Sequence, residues 1–167
     1  ISLAGKGSVA YLIKGGSYNS SSNFKDNLTL TSTDGYTYMS ITEAFMQYKN
    51  TKVINNDDSL FVNAKNSTVN LDNGTDISST KNRVTGIYSD GGVASNNGKI
   101  SLTGDKSSAL YGKDASMANG IDGKITIGTN GSGIYTVDGN GHNNGQITVG
   151  SGSVGMRAEN GNVYNRA

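Results

Sequence analysis

The side chains able to do chemistry are few and dispersed. Asp57 and Asp58 are neighbouring carboxylates, and Lys81 and Arg83 follow about two dozen residues on. Enzymes that cleave polysaccharides on a β-helix gather Asp, Arg and Lys on one face, so these four form the candidate set for that chemistry. They do not fall at equivalent points of the sequence repeat, and an Asp-Asp pair within NNDD is also ordinary turn composition. Asp114 and Asp138 both stand four residues after an aliphatic residue, Leu110 and Ile134, and Asn160 stands four after Met156. Stacked, the two carboxylates could hold Ca²⁺ or act as an acid and base on a glycan. A turn column that prefers Asp or Asn produces the same pattern, and that is the preferred reading. His142 is the only histidine; it lies among Asn and Gly with no Ser or Cys context and reads as an exposed turn residue. Gly150, Gly152 and Gly155 spell GxGxxG, but VGMRAENGNVYN follows, where a dinucleotide site needs a helix. Tyr88, Tyr111 and Tyr135 form an aromatic column that alternation points outward, either a strip for sugars or a structural stack.

The elements that position these residues repeat. NGKISLTG (97–104), DGKITIG (122–128) and NGQITVG (144–150) place Ile100, Ile125 and Ile147 at steps of 25 and 22 residues. Ile87, Leu110, Ile134 and Met156 form a second column with steps of 23, 24 and 22. A period in this range marks a solenoid, whose coils bury their apolar faces only by stacking. Alternation turns Ile100, Leu102, Ile125, Ile127, Ile147 and Val149 inward. Ser101, Thr126 and Thr148 then form an outward hydroxyl stripe. The Asn-Gly and Asp-Gly pairs supply the turns, and stacked Asn side chains can hydrogen-bond along the axis. A third, less regular segment per coil carries Val93 and Met117 as its expected inward residues. The expectation is all-β: a right-handed parallel β-helix of about 22–25 residues per coil, roughly seven coils in all, with an irregular insertion in the first half.

Composition agrees and narrows the function classes. The 167 residues include 24 Gly and 21 Asn, with no Pro and no Cys, and 34% are hydrophobic. Cys-ligated metals and disulfides are excluded, and no cofactor is expected. The net charge is +1 and no basic block occurs, so neither nucleic acid nor an anionic membrane finds an electrostatic footprint. Both termini fall mid-repeat, which suggests one domain, 1–167, cut from a longer solenoid.

Within that domain, 1–14 reads as a partial coil and 84–167 as regular coils, while 15–80 departs from the pattern. GGSYNSSSN (15–23) reads as a loop, and NLTLT (27–31) and STVNL (67–71) as strands. TEAFMQYKN (42–50) suggests a short helix over 42–49, N-capped by Thr42. KVINNDDSLFVN (52–63) suggests strand, turn, strand. Insertions on solenoids are common binding sites, so Glu43, Phe45, Gln47, Tyr48, Asp57 and Asp58 are the candidate partner-binding residues.

NNGQITVGSGSVGMRAENGNVYN (143–165), with its Asn-Gly turn, Ile-Thr-Val strand and Val-Gly-Met sequel, resembles the passenger repeats of type V autotransporters of Gram-negative bacteria. The likeness is greatest to the large adhesins of fusobacteria; it covers 84–167 and part of 1–14. The resemblance implies a non-catalytic adhesin segment at the bacterial cell surface, extracellular and continuous with further solenoid and an outer-membrane barrel. Its partner would be a protein or glycan of a host or bacterial surface. It assigns no catalytic residue and no metal. The alternatives are a polysaccharide lyase or hydrolase, and a self-associating module.

Overall fold

The computed structural model describes residues 2–20 and 30–167. It is an all-β solenoid of about six turns, built from parallel strands and without a helix among the described residues. Each full coil has three faces. A long strand supplies the first and second faces by bending through a corner; examples are Tyr36–Tyr48, Leu60–Leu71, Thr85–Asn96 and Ser108–Asn119. In the last two coils that strand is broken at the corner, into Ser132–Val137 with Asn140–Asn143 and Val154–Glu159 with Asn162–Asn165. The third face stacks Thr51–Val53, Asp76–Ser79, Lys99–Leu102, Lys124–Ile127 and Gln146–Val149.

The stacking is in register. Ile77 lies opposite Ile100, Ile100 opposite Ile125, and Ile125 opposite Ile147, so the repeated isoleucines form one axial column. Ile87, Leu110, Ile134 and Met156 form the second column. Ser101, Thr126 and Thr148 align on the outside of the third face, as alternation requires.

The corners are made by left-handed backbone. Between the first and second faces the column Glu43, Asn66, Asp114, Asp138 and Asn160 has φ from 47° to 53°, with Gly15 and Gly91 at the equivalent points. Between the third and first faces, Asp58, Arg83, Lys106 and Asn130 have φ of 53–55° and Gly152 has 70°. Asn and Asp tolerate this conformation. Glu43, Arg83 and Lys106 are held in it by the stack at a cost of about 1–2 kcal/mol each. Asp114 and Asp138 are thus corner residues, the turn column of the sequence pattern.

The region 36–80 departs from the sequence expectation. Residues 42–49 form no helix; they belong to the strand Tyr36–Tyr48, paired on both sides with Ser8–Asn19 and Leu60–Leu71. Gly15 to Asn19, read as loop, complete the strand Ser8–Asn19. STVNL lies in a strand and KVINNDDSLFVN is strand, turn, strand, as its composition suggests. Of NLTLT, only Leu30 and Thr31 are described; 21–29 lie outside the described residues. These coils share the geometry of the later ones but fill it with different side chains. Tyr38 and Phe61 occupy the inward column that continues as Gly86, Ala109 and Gly133. Their rings stack at 5.4 Å, and Tyr48 meets Phe61 edge-on at 5.0 Å. Lys52 takes the isoleucine position of the third face, with Nζ 4.3 Å from the Tyr38 ring centre.

In the later coils an asparagine ladder replaces this aromatic packing. Tyr48 and Leu71 share a column with Asn96, Asn119, Asn143 and Asn165. Each amide in that run donates to the next, Asn96 to Asn119 at 2.9 Å, Asn119 to Asn143 at 2.9 Å and Asn143 to Asn165 at 2.7 Å. The ladder sits one residue before the Asn97–Gly98 and Asn144–Gly145 turns and not within them. Val93 points outward and is 44% exposed; its neighbour Ala94 fills the core opposite Met117.

Candidate binding face

Three outward columns run along the first face. The central one is Ser40, Asn63, Tyr88, Tyr111, Tyr135 and Arg157. Strand alternation dictates it, since the residue before each tyrosine is the buried Ile87, Leu110 or Ile134. Tyr88 and Tyr111 meet edge to face at 5.2 Å, Tyr111 and Tyr135 stack at 4.8 Å, and the Arg157 guanidinium lies 5.1 Å from the Tyr135 ring centre. On one side stand Thr85, Ser108 and Ser132, with the two serine hydroxyls 2.7 Å apart. On the other stand Lys65, Asp90, Lys113 and Glu159, with Val137 interposed. Open grooves flank the tyrosines. One is lined by Lys106, Ser108, Asn130, Ser132, Tyr135 and Arg157; the other includes Asn63, Lys65, Tyr88 and Asp90.

Two of these phenols, Tyr88 and Tyr135, are pushed up by their surroundings. Partial burial, then the Asp90 charge, push Tyr88 above its ordinary value. Partial burial, then a hydrogen bond to Glu159, do the same for Tyr135. The face offers phenol hydroxyls between a row of alcohols and a row of mixed charge. The rings of Tyr111 and Tyr135 cover each other, and Arg157 lies against Tyr135. Ring edges and hydroxyls, more than open ring faces, are left to a partner. A flat sugar platform needs the open faces.

The residues proposed from sequence are not brought together. Glu43 marks the first-to-second corner and is exposed. Phe45 points out from the second face, 39% exposed, in the column of Thr68 and Val93. Gln47 also points outward; it accepts from Asn19 and donates to Asp72 at 2.6 Å. Tyr48 is fully buried against Phe61, so it belongs to the core and offers nothing to a partner. Asp57 and Asp58 lie at the other corner. There Asp57 Oδ1 accepts the Asn82 N–H at 2.9 Å, an Asx link between coils.

Asp58 and Arg83, unlike the sequence expectation, do occupy equivalent positions. They form a two-pronged ion pair, Nε to Oδ1 at 2.6 Å and Nη2 to Oδ2 at 2.9 Å. The hydrogen bond from Arg83 holds the Asp58 carboxyl below its usual range. Asp105 is lowered in the same way, first by Asn130 and then by Thr129. Carboxylates so stabilised are weak bases and poor proton donors near neutral pH. His142 is not a turn residue; it lies in the strand Asn140–Asn143 with its ring stacked on Tyr164 at 5.0 Å. GxGxxG runs from a turn into the strand Val154–Glu159 and opens no helix. Among the described residues no group of three or more His, Cys, Asp or Glu converges.

Arg157 is the face residue that sequence reading passed over. Its signal was present: the steps of 23 and 24 between the tyrosines lead, 22 residues on, to Arg157.

The architecture defines a parallel β-helix with an outward aromatic face. Comparison with protein-family models, with curated proteins and with solved structures finds no match to this chain.

Proposed function

We propose that this chain is a non-catalytic segment of a bacterial cell-surface adhesin. Its stacked coils serve as a stiff rod, and the tyrosine-lined first face binds a protein on a host or bacterial surface. One observation carries this reading: Tyr88, Tyr111 and Tyr135 are gathered on the outside with Arg157 at the end of their column. Tyr and Arg are the residue types that dominate binding energy at protein interfaces. The self-covered rings favour a protein over a stacked sugar. The polysaccharide-degrading alternative has less support, because its leading carboxylate, Asp58, is tied to Arg83.

The test is attachment of cultured host cells and of partner bacteria to the immobilised chain. Tyr111→Ala combined with Arg157→Ala is expected to weaken attachment by roughly thirtyfold, the scale of an interface hot spot. Gln146→Ala, on the third face, serves as control, and Phe45→Ser reports on the second face. Attachment unaltered by the first pair, with fold retained, overturns the assignment of this face.

A further inference from the structure

We infer that Asn73 is a site of spontaneous deamidation, and that the solenoid shields its other interior Asn-Gly turns from the same reaction. The chain holds seven Asn-Gly dipeptides, at Asn73, Asn97, Asn119, Asn130, Asn140, Asn144 and Asn160. In each, the glycine nitrogen is the potential nucleophile. It attacks Cγ of the asparagine side chain, a C–N bond forms and closes a five-membered succinimide, and the side-chain nitrogen leaves as ammonia. Water then opens the ring at either carbonyl, giving aspartate or isoaspartate. No oxidant or enzyme is required. The backbone nitrogen must surrender its proton and turn toward its own side chain, so a hydrogen bond on that N–H opposes the reaction.

Four of these nitrogens are held by hydrogen bonds between or within coils. Gly98 N–H donates to Asn96 Oδ1 at 3.1 Å and Gly145 N–H to Asn143 Oδ1 at 3.3 Å, both on the buried ladder. Gly120 N–H donates to the Asn96 carbonyl at 2.8 Å and Gly131 N–H to Ser153 Oγ at 2.9 Å. Asn119 is further fixed through its own amide, which donates to Asn143. Asn140–Gly141 lies inside a strand paired on both sides.

Asn73–Gly74 is different. It forms the centre of an exposed turn closed by Thr75 N–H to the Asp72 carbonyl at 3.0 Å. The peptide unit joining the two residues makes no hydrogen bond among the described residues, through either its N–H or its carbonyl. Gly74 has φ of 98°, and only Lys49 side-chain atoms approach the place of a Cβ, at 3.3 Å and beyond. That peptide unit can rotate without disturbing the stack. The side chain is weakly tethered, with Nδ2 donating to Asp122 Oδ2 at 3.4 Å. Conversion replaces this donor by a carboxylate facing Asp122 and adjacent to Asp72, so an attraction across two coils becomes a repulsion. Asn160–Gly161, on the last coil, likewise has no hydrogen bond on its glycine N–H among the described residues. A Cβ on Gly161, however, would fall 1.9 Å from the Gly139 carbonyl oxygen, so its backbone is packed against the neighbouring coil and it is expected to convert more slowly than Asn73.

The test is peptide mapping by mass spectrometry of the folded chain held at mildly alkaline pH, with isoaspartate and aspartate products resolved by fragmentation. Asn73 is expected to convert at least about tenfold faster than Asn97, Asn119, Asn130 and Asn144, the factor one retained hydrogen bond together with its burial is worth. The same chain in concentrated denaturant is expected to convert all five at comparable rates. Equal rates in the folded chain overturn the inference. A tenfold excess at Asn73 that persists in denaturant overturns it as well, since local sequence and not the fold would then set the rate.

Discussion

Asn119 Nδ2 donates to Oδ1 of Asn143, one coil along the axis, at 2.9 Å, and both residues are buried. Asn119 Oδ1 meanwhile accepts from Asn96 at 2.9 Å. The amide dipoles therefore run head to tail through the interior, and each link leaves no buried polar atom alone. Asn119→Ala takes one partner from each neighbour: Asn96 Nδ2 keeps only the Gly98 carbonyl and Asn143 Oδ1 only the Gly145 N–H, while the Gly123 and Gln146 carbonyls lose the Asn119 donor. The expected loss is roughly 2–4 kcal/mol of unfolding free energy. Asn144→Ala, one residue beyond the ladder and exposed, is expected to cost under about 0.5 kcal/mol. Urea denaturation of the two variants separates them, and equal midpoints would show that the ladder contributes nothing.

The solenoid and its period are legible in the sequence from residue 84 onward because the inward residues there are small or aliphatic and recur. Ile100, Ile125 and Ile147 announce themselves. The coils over 36–80 are equally regular in space but hide in the sequence, since their interior is filled by a different solution. Tyr38 and Phe61 replace Gly and Ala, Lys52 replaces Ile, and Tyr48 and Leu71 replace Asn. The columns keep their inward positions while residue type and size change, so the repeat is not visible as a recurring motif there. The same substitution explains Tyr48: in isolation an aromatic beside Gln and Lys looks like surface, whereas here it packs on Phe61. The tyrosine face was readable from alternation and step length. The αL corners at Glu43, Arg83 and Lys106 were not, because these residue types carry no left-handed preference and the stack alone imposes it.

The aromatic interior makes its own prediction. Phe61 is fully buried and contacts both Tyr38 and Tyr48. Phe61→Ala opens a cavity between two coils and is expected to cost about 3–5 kcal/mol. Stacked repeats interact with their nearest neighbours, so the damage should be local. Hydrogen exchange is expected to accelerate in Tyr36–Tyr48 and Leu60–Leu71 well before Lys124–Ile127. Uniform acceleration along the rod would contradict that picture.

Close backbone approach between coils sets a second constraint. A Cβ on Gly104 would fall 1.9 Å from the Lys81 carbonyl oxygen, a backbone atom unable to yield without moving its coil. Gly104→Ala is expected to destabilise by about 1–3 kcal/mol through this overlap. Gly16→Ala is the matched comparison: nothing lies within 4 Å and its φ is not positive. There the loss of unfolded-chain freedom leads, and the variant should be neutral or stabilised by up to about 1 kcal/mol. Thermal unfolding of the pair reads out the sign directly.

The Asp58–Arg83 pair predicts a pH dependence. Its hydrogen bond from Arg83 lowers the folded-state pKa of Asp58, so the unfolded chain binds the proton more readily than the folded one. The contribution is therefore fully present above the unfolded value, near pH 4, and is lost as pH falls through the lower folded value. Asp58→Asn removes the titrating group, and Asn accepts the left-handed backbone at this corner without added strain. The difference in melting temperature between wild type and Asp58→Asn is thus expected to hold constant from neutral pH to about pH 5 and then to shift against the wild type below about pH 4. Both partners are about half exposed, so salt should shrink the effect. A difference that stays flat through the acid range at low salt would mean that the ion pair adds nothing to the fold.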